Sequence, residues 1–280
     1  MTKTKLLSRL FSFCMVLSIL SALSTANASS PQEVHKTDVS GSASSTTYQL
    51  ILLRHGESVM NTQKRTSGWG DTYLTEKGVS AGLKVGELLK EEGVSIDAVH
   101  TSYLSRAIKT AWLTLEGMEM MWIPVHTSWR LNETEQGAFE GKTREEIVTM
   151  WSEEQVKKWE LSFDMSPPPL ASDDPRSPAK DPRYNVIPKG KVPQAESMKD
   201  TVARIRAYWE EVLIPALSSG KTVMVVGHSN ALRSLSKCID DTLDEKTLKQ
   251  MPIPNTIPII YTLDANMKPI SRRVLGVQTK

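Results

Sequence analysis

Cysteine is almost absent from this 280-residue chain, which holds only Cys14 and Cys238. Cys14 falls in an amino-terminal stretch that reads as a signal peptide. The mature chain then keeps one thiol, and no intramolecular disulfide can form. Export into an oxidising space is allowed by this pattern but not advertised by it. A basic surplus is missing as well. The formal net charge is +2, and residues 1–28 carry Lys3, Lys5 and Arg9 without any acid. The remainder has 31 basic against 32 acidic residues, a net of −1. Bulk charge therefore suggests neither nucleic-acid binding nor a polybasic membrane patch, and any positive potential must be local to a site. No His-Glu-x-x-His run or cysteine cluster suggests zinc, and no metal is expected. Gly141-Lys142-Thr143 and Gly220-Lys221-Thr222 imitate the end of a phosphate-binding loop. Neither has the upstream glycine, and Gly220 precedes a strand instead of following one. No internal repeat is visible.

The amino terminus has a basic start, an apolar stretch from Leu10 to Leu23, and a small-x-small site at Ala26-Asn27-Ala28. These are the parts of a secretory signal spanning 1–28. The stretch is too short and too rich in serine for a comfortable membrane span, so no stable membrane insertion is expected after cleavage. An uncleaved anchor is the alternative, and a mitochondrial targeting sequence is disfavoured because the apolar run is continuous instead of amphipathic. The expected location is the secretory pathway, the exterior, or an organelle reached by that route. Residues 29–47, rich in Ser and Thr, read as a flexible leader or as the second part of a bipartite organelle signal.

From residue 48 to 280 short apolar runs alternate with helical patterns, as in βαβ units, and one α/β domain is expected. Leu50-Ile51-Leu52-Leu53 reads as a buried strand ending in Arg54-His55-Gly56-Glu57. A helix follows from about Thr75 to Glu92, with Val79, Leu83 and Leu89 near one face and Gly93 as its stop. Ile96–Val99 is a second strand, then a helix places Leu104, Ile108, Ala111 and Leu115 on one side. Thr143 with Glu146, and Ser197 with Asp200, have the form of capping boxes. The second opens a long helix through Leu217. Thr222–Val226 reads as a central strand ending at Gly227-His228-Ser229-Asn230, and Ile257–Leu263 with Arg272–Leu275 as a last pair. Residues 164–193 hold 8 of the 15 prolines and no periodicity. They are either a cover over a site or a disordered insert.

Two histidines thus stand at strand exits. Parallel strands place such exits on one sheet edge, where ligands of open α/β sheets bind. An imidazole beside a guanidinium is held neutral, which is its nucleophilic form, while the guanidinium suits phosphate. Arg106, in the first turn of a helix, adds a second guanidinium beside helix amides. Arg54, Arg106 and His228 would neutralise a phosphoryl group while His55 attacks it, and Glu133 would supply the proton. A carboxyl beside a dianionic phosphate favours its protonated form and so can act as an acid. His35, His100 and His126 lack such partners and read as structural or exposed. Trp151, Trp159 and Trp209 read as packing residues, and Cys238 as core. Asn132-Glu133-Thr134 fits the N-glycosylation pattern, but a glycan there would obstruct the acid, so Asn132 is expected unmodified.

Arg54-His55-Gly56-Glu57-Ser58 with Asn61 resembles the signature of the histidine phosphatase superfamily, and the surrounding text resembles the cofactor-dependent phosphoglycerate mutases. Ser67-Gly68-Trp69, Leu74-Thr75-Glu76-Lys77-Gly78, Thr101-Ser102 with Arg106-Ala107-Ile108, and Leu131-Asn132-Glu133 match that pattern. So do Asp181-Pro182-Arg183-Tyr184, Gly227-His228 with Asn230-Ala231-Leu232-Arg233, and Ile253-Pro254-Asn255. The resemblance implies a three-layer α/β/α fold with a mostly parallel sheet. It implies interconversion of 3- and 2-phosphoglycerate through a phosphohistidine on His55, primed by 2,3-bisphosphoglycerate. Glu133 is then the proton donor and acceptor, and Arg54, Arg106, Asn61 and His228 grip the phosphoryl. Ser58, Ser67, Gly68, Gln136, Arg144, Ser229 and Asn230 complete the substrate site, and residues 164–193 become an active-site cover. The partner is a small phosphorylated molecule; self-association is left open.

The chain also departs from that pattern. After Lys157-Lys158-Trp159 the mutases carry two arginines where Glu160 and Leu161 stand here. That is a local swing of about three charges, significant at a few kcal/mol per close pair. Thr134 and Gln136 replace another arginine and a tyrosine. The phosphoryl core is kept while the shell for the substrate's far end is altered. An exported phosphomonoesterase using the same phosphohistidine is the alternative. A catalytically dead binding module is disfavoured, because every core residue is present.

Overall fold

A computed structural model of the chain describes residues 46–171 and 173–276. The expected signal peptide, most of the leader, Cys14 and His35 lie outside the described residues. Strand β1 (Tyr48–Arg54) contains Leu50 to Leu53, all with no exposed surface. Apolar side chains on both faces are what a strand covered on both sides requires. Around it, β2 (Ala98–Thr101), β3 (Val125–Thr127), β4 (Val223–Gly227), β5 (Ile259–Leu263) and β6 (Pro269–Val274) form one sheet in the order β3-β2-β4-β1-β5-β6. Strands β3, β2, β4 and β1 run parallel, β5 pairs antiparallel with β1, and β6 pairs antiparallel with β5. The mostly parallel sheet expected from the sequence is present.

The helices are α1 (Val59–Thr62), α2 (Glu76–Glu91), α3 (Ser105–Gly117), α4 (Arg144–Trp151), α5 (Glu153–Leu161), α6 (Met198–Tyr208), α7 (Ile214–Ser218), α8 (Ser229–Ile239) and α9 (Glu245–Gln250). Strand side chains alternate between two cores, as period-2 geometry demands. Leu50, Leu52, Val223 and Val225 pack with Ile205, Leu232 and Leu235 from α6 and α8. Ile51, Leu53, Met224 and Val226 pack with Val85, Leu89, Ala111 and Leu115 from α2 and α3. The result is the three-layer α/β/α arrangement.

Helix α2 differs from the apolar face that its periodicity suggests. Its buried residues are Gly78, Gly82, Val85, Gly86 and Leu89, while Val79 and Leu83 are half-buried. Glycines at i, i+4 and i+8 line up on one face and let backbones approach closely. A Cβ on Gly86 would lie 2.2 Å from the Thr114 carbonyl oxygen on α3. The same face meets the loop after β1, since a Cβ on Gly56 would lie 2.5 Å from the Gly78 carbonyl oxygen.

Strand β2 begins two residues later than expected, so His100 and Thr101 lie inside it. Both polar side chains are satisfied there: Thr101 Oγ1 donates to the Val226 carbonyl and His100 Nδ1 meets Tyr208 Oη, each at 2.8 Å. Both capping boxes are formed. The long helix spans its expected range but not as one regular helix. Trp209–Leu213 forms a wide π turn between α6 and α7. Pro215 explains it, because a proline lacks an N–H and its ring crowds the carbonyl four residues earlier. Trp209 and Cys238 are buried in the core, and Trp151 and Trp159 pack edge-on to Phe139. The proline-rich stretch has two short 3-10 turns, Pro178–Lys180 and Pro182–Tyr184. It is folded, with Tyr184 and Ile187 buried against Trp69.

Candidate active site

In the register of β1 and β4, Arg54 lies opposite Gly227, so the two strands release His55 and His228 side by side. The His55 amide donates to the Gly227 carbonyl at 3.0 Å, and the imidazole centroids are 5.2 Å apart. His55 Nδ1 lies 2.7 Å from the carbonyl oxygen of Gly56. A carbonyl only accepts, so Nδ1 carries the ring proton and Nε2 keeps a free lone pair. Burial pushes the His55 pKa well below the usual imidazole range, and the Arg106 and Arg54 guanidiniums push it further. His228 is lowered well below that range by the same forces, burial first and then Arg106 and His55. Both imidazoles are neutral at pH 7.

Arg106 leaves 1 % of its surface exposed, and donates from Nη1 to the Gly70 carbonyl and from Nη2 to the Gly68 carbonyl, both at 2.9 Å. These bonds hold the loop after α1 against α3. Burial lowers the Arg106 pKa to about 10, against the opposing pull of Glu133, Asp71 and Glu140. It remains a cation at neutral pH. Arg54 Nη1 donates to the Ile253 carbonyl at 2.9 Å. Arg54 Nε, Arg106 Nε and His228 Nδ1 are buried with no hydrogen-bond partner among the described residues. A buried donor without an acceptor costs about 1–3 kcal/mol. Arg54 and Arg106 line one cavity with His55, and the His228 ring lies against that of His55, an arrangement suited to a polyoxyanion.

Glu133 faces the same space from the opposite side. Its Oε1 accepts from the Thr134 amide at 2.8 Å, and Oε2 lies 3.3 Å from the Asn230 amide and 3.4 Å from Ser229 Oγ at the start of α8. Two donors fix its backbone carbonyl: Trp69 Nε1 at 2.6 Å and Arg204 Nη2 at 3.2 Å. Arg204 is itself clamped by Glu196, at 2.7 Å from each carboxylate oxygen, and also donates to the carbonyls of Arg130 and Asn132. Tyr184, from the proline-rich stretch, lies under Trp69 with centroids 4.7 Å apart and accepts from Asn132 Nδ2 at 2.9 Å. Asn132 is fully buried, so no glycan could be attached in the folded state.

Most of the residues singled out in the sequence line one cavity of about 230 Å³: Arg54, His55, Asn61, Ser67, Gly68, Arg106, Glu133, Gln136, Ser229 and Asn230. Three do not. Ser58 is buried as the N-cap of α1, where it forms a capping box with Asn61. His228 sits behind His55, and Arg144 lines a neighbouring recess. His100 and His126 stack on each other and take no part in either lining. Arg65 and Thr66 line the cavity although no sequence motif singles them out. Their position between Asn61 and Ser67 is the one signal that points to them. Arg204, Glu196 and Ser102 support the site from behind, and no local motif marks them as supports.

The recess, of about 350 Å³, continues from the cavity past Thr66, Gln136 and Asn230. Arg144 there is held by two carboxylates, Glu153 at 2.8 and 3.0 Å and Glu160 at 2.8 and 3.2 Å. These hydrogen bonds raise the Arg144 pKa. As a site for the bisphosphorylated primer, the residues suit one phosphoryl group at His55 but not a second anion at Arg144.

A family model described as the histidine phosphatase superfamily (branch 1) matches residues 50–273. Solved structures share the fold. A mycobacterial glucosyl-3-phosphoglycerate phosphatase has a TM-score of 0.62 at 21 % identity, over 83 % of this chain and 100 % of its own. YhfR of Bacillus stearothermophilus gives 0.59 at 26 %, over 82 % and 96 %. A phosphoglycerate mutase from Bacillus anthracis gives 0.54 at 24 %, over 83 % and 93 %.

Proposed function

The chain belongs to the histidine phosphatase superfamily, branch 1, and from that premise we propose that it hydrolyses a small phosphomonoester through a phosphorylated His55. The observation that carries this reading is the set of buried, unpartnered donors on Arg54, Arg106 and His228 around a histidine whose other nitrogen is already committed. In the first step His55 Nε2 attacks phosphorus, the ester P–O bond breaks, and Glu133 gives its proton to the departing alcohol oxygen. In the second, water attacks the same phosphorus, Glu133 takes a proton from it, and the N–P bond breaks to release inorganic phosphate. The guanidiniums and the His228 donor stabilise charge spread over the transferred oxygens without having to reorganise. No metal is invoked.

Hydrolysis is favoured over return of the phosphoryl group to the alcohol because Arg144, which matches a basic position of the mutases, is occupied. A mutase must retain a doubly phosphorylated intermediate while it turns, and Arg144 already spends both edges of its fork on Glu153 and Glu160. A second reading, phosphoglycerate mutase, is favoured by the motifs shared with that family and by Lys64, a lysine on the recess wall. The two separate in one assay: 3-phosphoglycerate with a trace of 2,3-bisphosphoglycerate, followed for 2-phosphoglycerate and free phosphate. Phosphate without the second isomer is expected, and accumulation of 2-phosphoglycerate would establish the mutase instead. An acid-labile phosphate on the protein, lost in His55→Ala, is expected in either case.

A further inference from the structure

The recess beside the phosphoryl cavity is where the alcohol part of an ester bound at His55 would extend. One wall is apolar, with Phe139, Ile147, Val156 and Trp159. Its cations are Lys64, Arg144, Arg233 and Lys249; the last three hydrogen-bond within the protein, but of these only Arg144 does so to carboxylates. Arg144 holds Glu153 and Glu160; Arg233 donates to the Met251 carbonyl at 2.9 Å and to Asn230 Oδ1 at 2.8 Å. Lys249 donates to the carbonyls of Glu160 and Ser162.

We propose that this recess selects an uncharged, partly apolar alcohol, and that Glu160 is the residue that turns anionic alcohols away. The inference rests on the hydrolase reading only in taking the recess as the leaving-group side. An anionic group that reaches Arg144 meets the Glu160 carboxylate and a guanidinium whose charge two carboxylates already compensate, whereas Lys64, Arg233 and Lys249 keep their charge elsewhere on the wall. To bind Arg144 it would have to displace one of the two carboxylates, and the displaced one stays close by on α5. An aryl or alkyl group gains the apolar wall and disturbs none of these pairs. The pairs are half-exposed, so solvent screens them, and the expected selectivity is moderate.

The test reads binding apart from turnover. His55→Ala removes the nucleophile, so phenyl phosphate and 3-phosphoglycerate can be titrated calorimetrically without reacting. Phenyl phosphate should bind more tightly by roughly tenfold, and adding Glu160→Gln should shrink that ratio by roughly threefold to tenfold. Glu153→Gln, which loosens the other side of Arg144, should act in the same direction. Tighter binding of 3-phosphoglycerate, or a ratio that neither substitution moves, overturns the proposal. Phosphate release by the unsubstituted protein is measured separately. Its absence with the binding preference intact would count against hydrolysis and not against the recess.

Discussion

Ser102 Oγ lies 2.8 Å from His228 Nε2, and this bond decides which nitrogen of His228 carries the proton. Ser102 is fully buried, and its oxygen accepts from the Leu104 amide at 3.1 Å. Among the described residues, the acceptor in reach of its own hydroxyl proton is His228 Nε2. The neutral ring must then be protonated at Nδ1, the atom left without a partner beside His55. In the proposed reaction Ser102 is then a positioning residue that sets the tautomer in which His228 offers its Nδ1–H to the transferred phosphoryl group.

Ser102→Ala should lower kcat by about tenfold to a hundredfold, because one donor loses its fixed orientation. Nitrogen NMR of histidine-labelled protein checks the cause. The unsubstituted protein should show His228 protonated at Nδ1, and the variant a shift toward the other tautomer. Unchanged tautomer signals with reduced kcat would assign Ser102 a merely structural part.

Stability should peak near pH 6.5–7. His55, His228 and His100 all have lowered pKa values, His100 to about 4, with burial as the largest cause in each. Below about 6.5 the unfolded chain binds protons at these sites and the folded one does not, so stability falls as pH drops, by about 1.4 kcal/mol per unit per group. Glu135 acts with the opposite sign. Burial first, and then the Glu140 and Glu196 carboxylates, raise it to about 8. Between the carboxylate's ordinary value and that point the folded state holds a proton the unfolded state has lost, so stability declines as pH rises. Denaturant titrations from pH 5 to 9 should show both slopes, and Glu135→Gln should remove the decline between pH 7 and 8. A decline that survives the substitution would place the titration elsewhere.

The strand exits were legible because a continuous apolar run ending in Arg-His-Gly or Gly-His is the pattern of a buried strand that hands an imidazole to a sheet edge. Parallel pairing does the rest. The glycine face of α2 was not legible, since apolar periodicity registers large side chains and is blind to a seam made by having none. Glu160 was visible as a departure in charge. Its grip on Arg144 was not, because it depends on how α4 and α5 pack. The clamp on Glu133 was hidden for a similar reason: Arg204 stands 71 residues further along the chain, and only folding brings it to the carbonyl it fixes.

Gly86→Ala separates two opposing effects. Helix propensity favours alanine by about 1 kcal/mol. Against that, the added Cβ would sit 2.2 Å from the Thr114 carbonyl, a backbone atom that moves only if α2 and α3 separate. Overpacking of this kind costs about 1–3 kcal/mol, so the contact should win. A net loss of up to about 2 kcal/mol would lower Tm by roughly 4–8 °C for a domain of this size. An unchanged or higher Tm would show that the two helices slide apart freely.

The buried pair of Arg204 and Glu196 makes a sharper prediction, because its parts can be removed singly or together. Their side chains are 6 and 5 % exposed. Arg204→Met leaves the Glu196 carboxylate buried without its partner and takes a donor from the carbonyls of Arg130, Asn132 and Glu133. Breaking such a pair costs about 3–5 kcal/mol. Replacing both residues with apolar ones removes the stranded charge, so Arg204→Met with Glu196→Leu should recover part of that stability, read as a higher denaturant midpoint than the single variant. Activity should not recover with it. Glu133 would still depend on Trp69 alone to hold its carbonyl, and kcat of the double variant should stay about tenfold or more below the unsubstituted protein. Stability and kcat returning together would mean that the pair supports the fold and not the position of the acid.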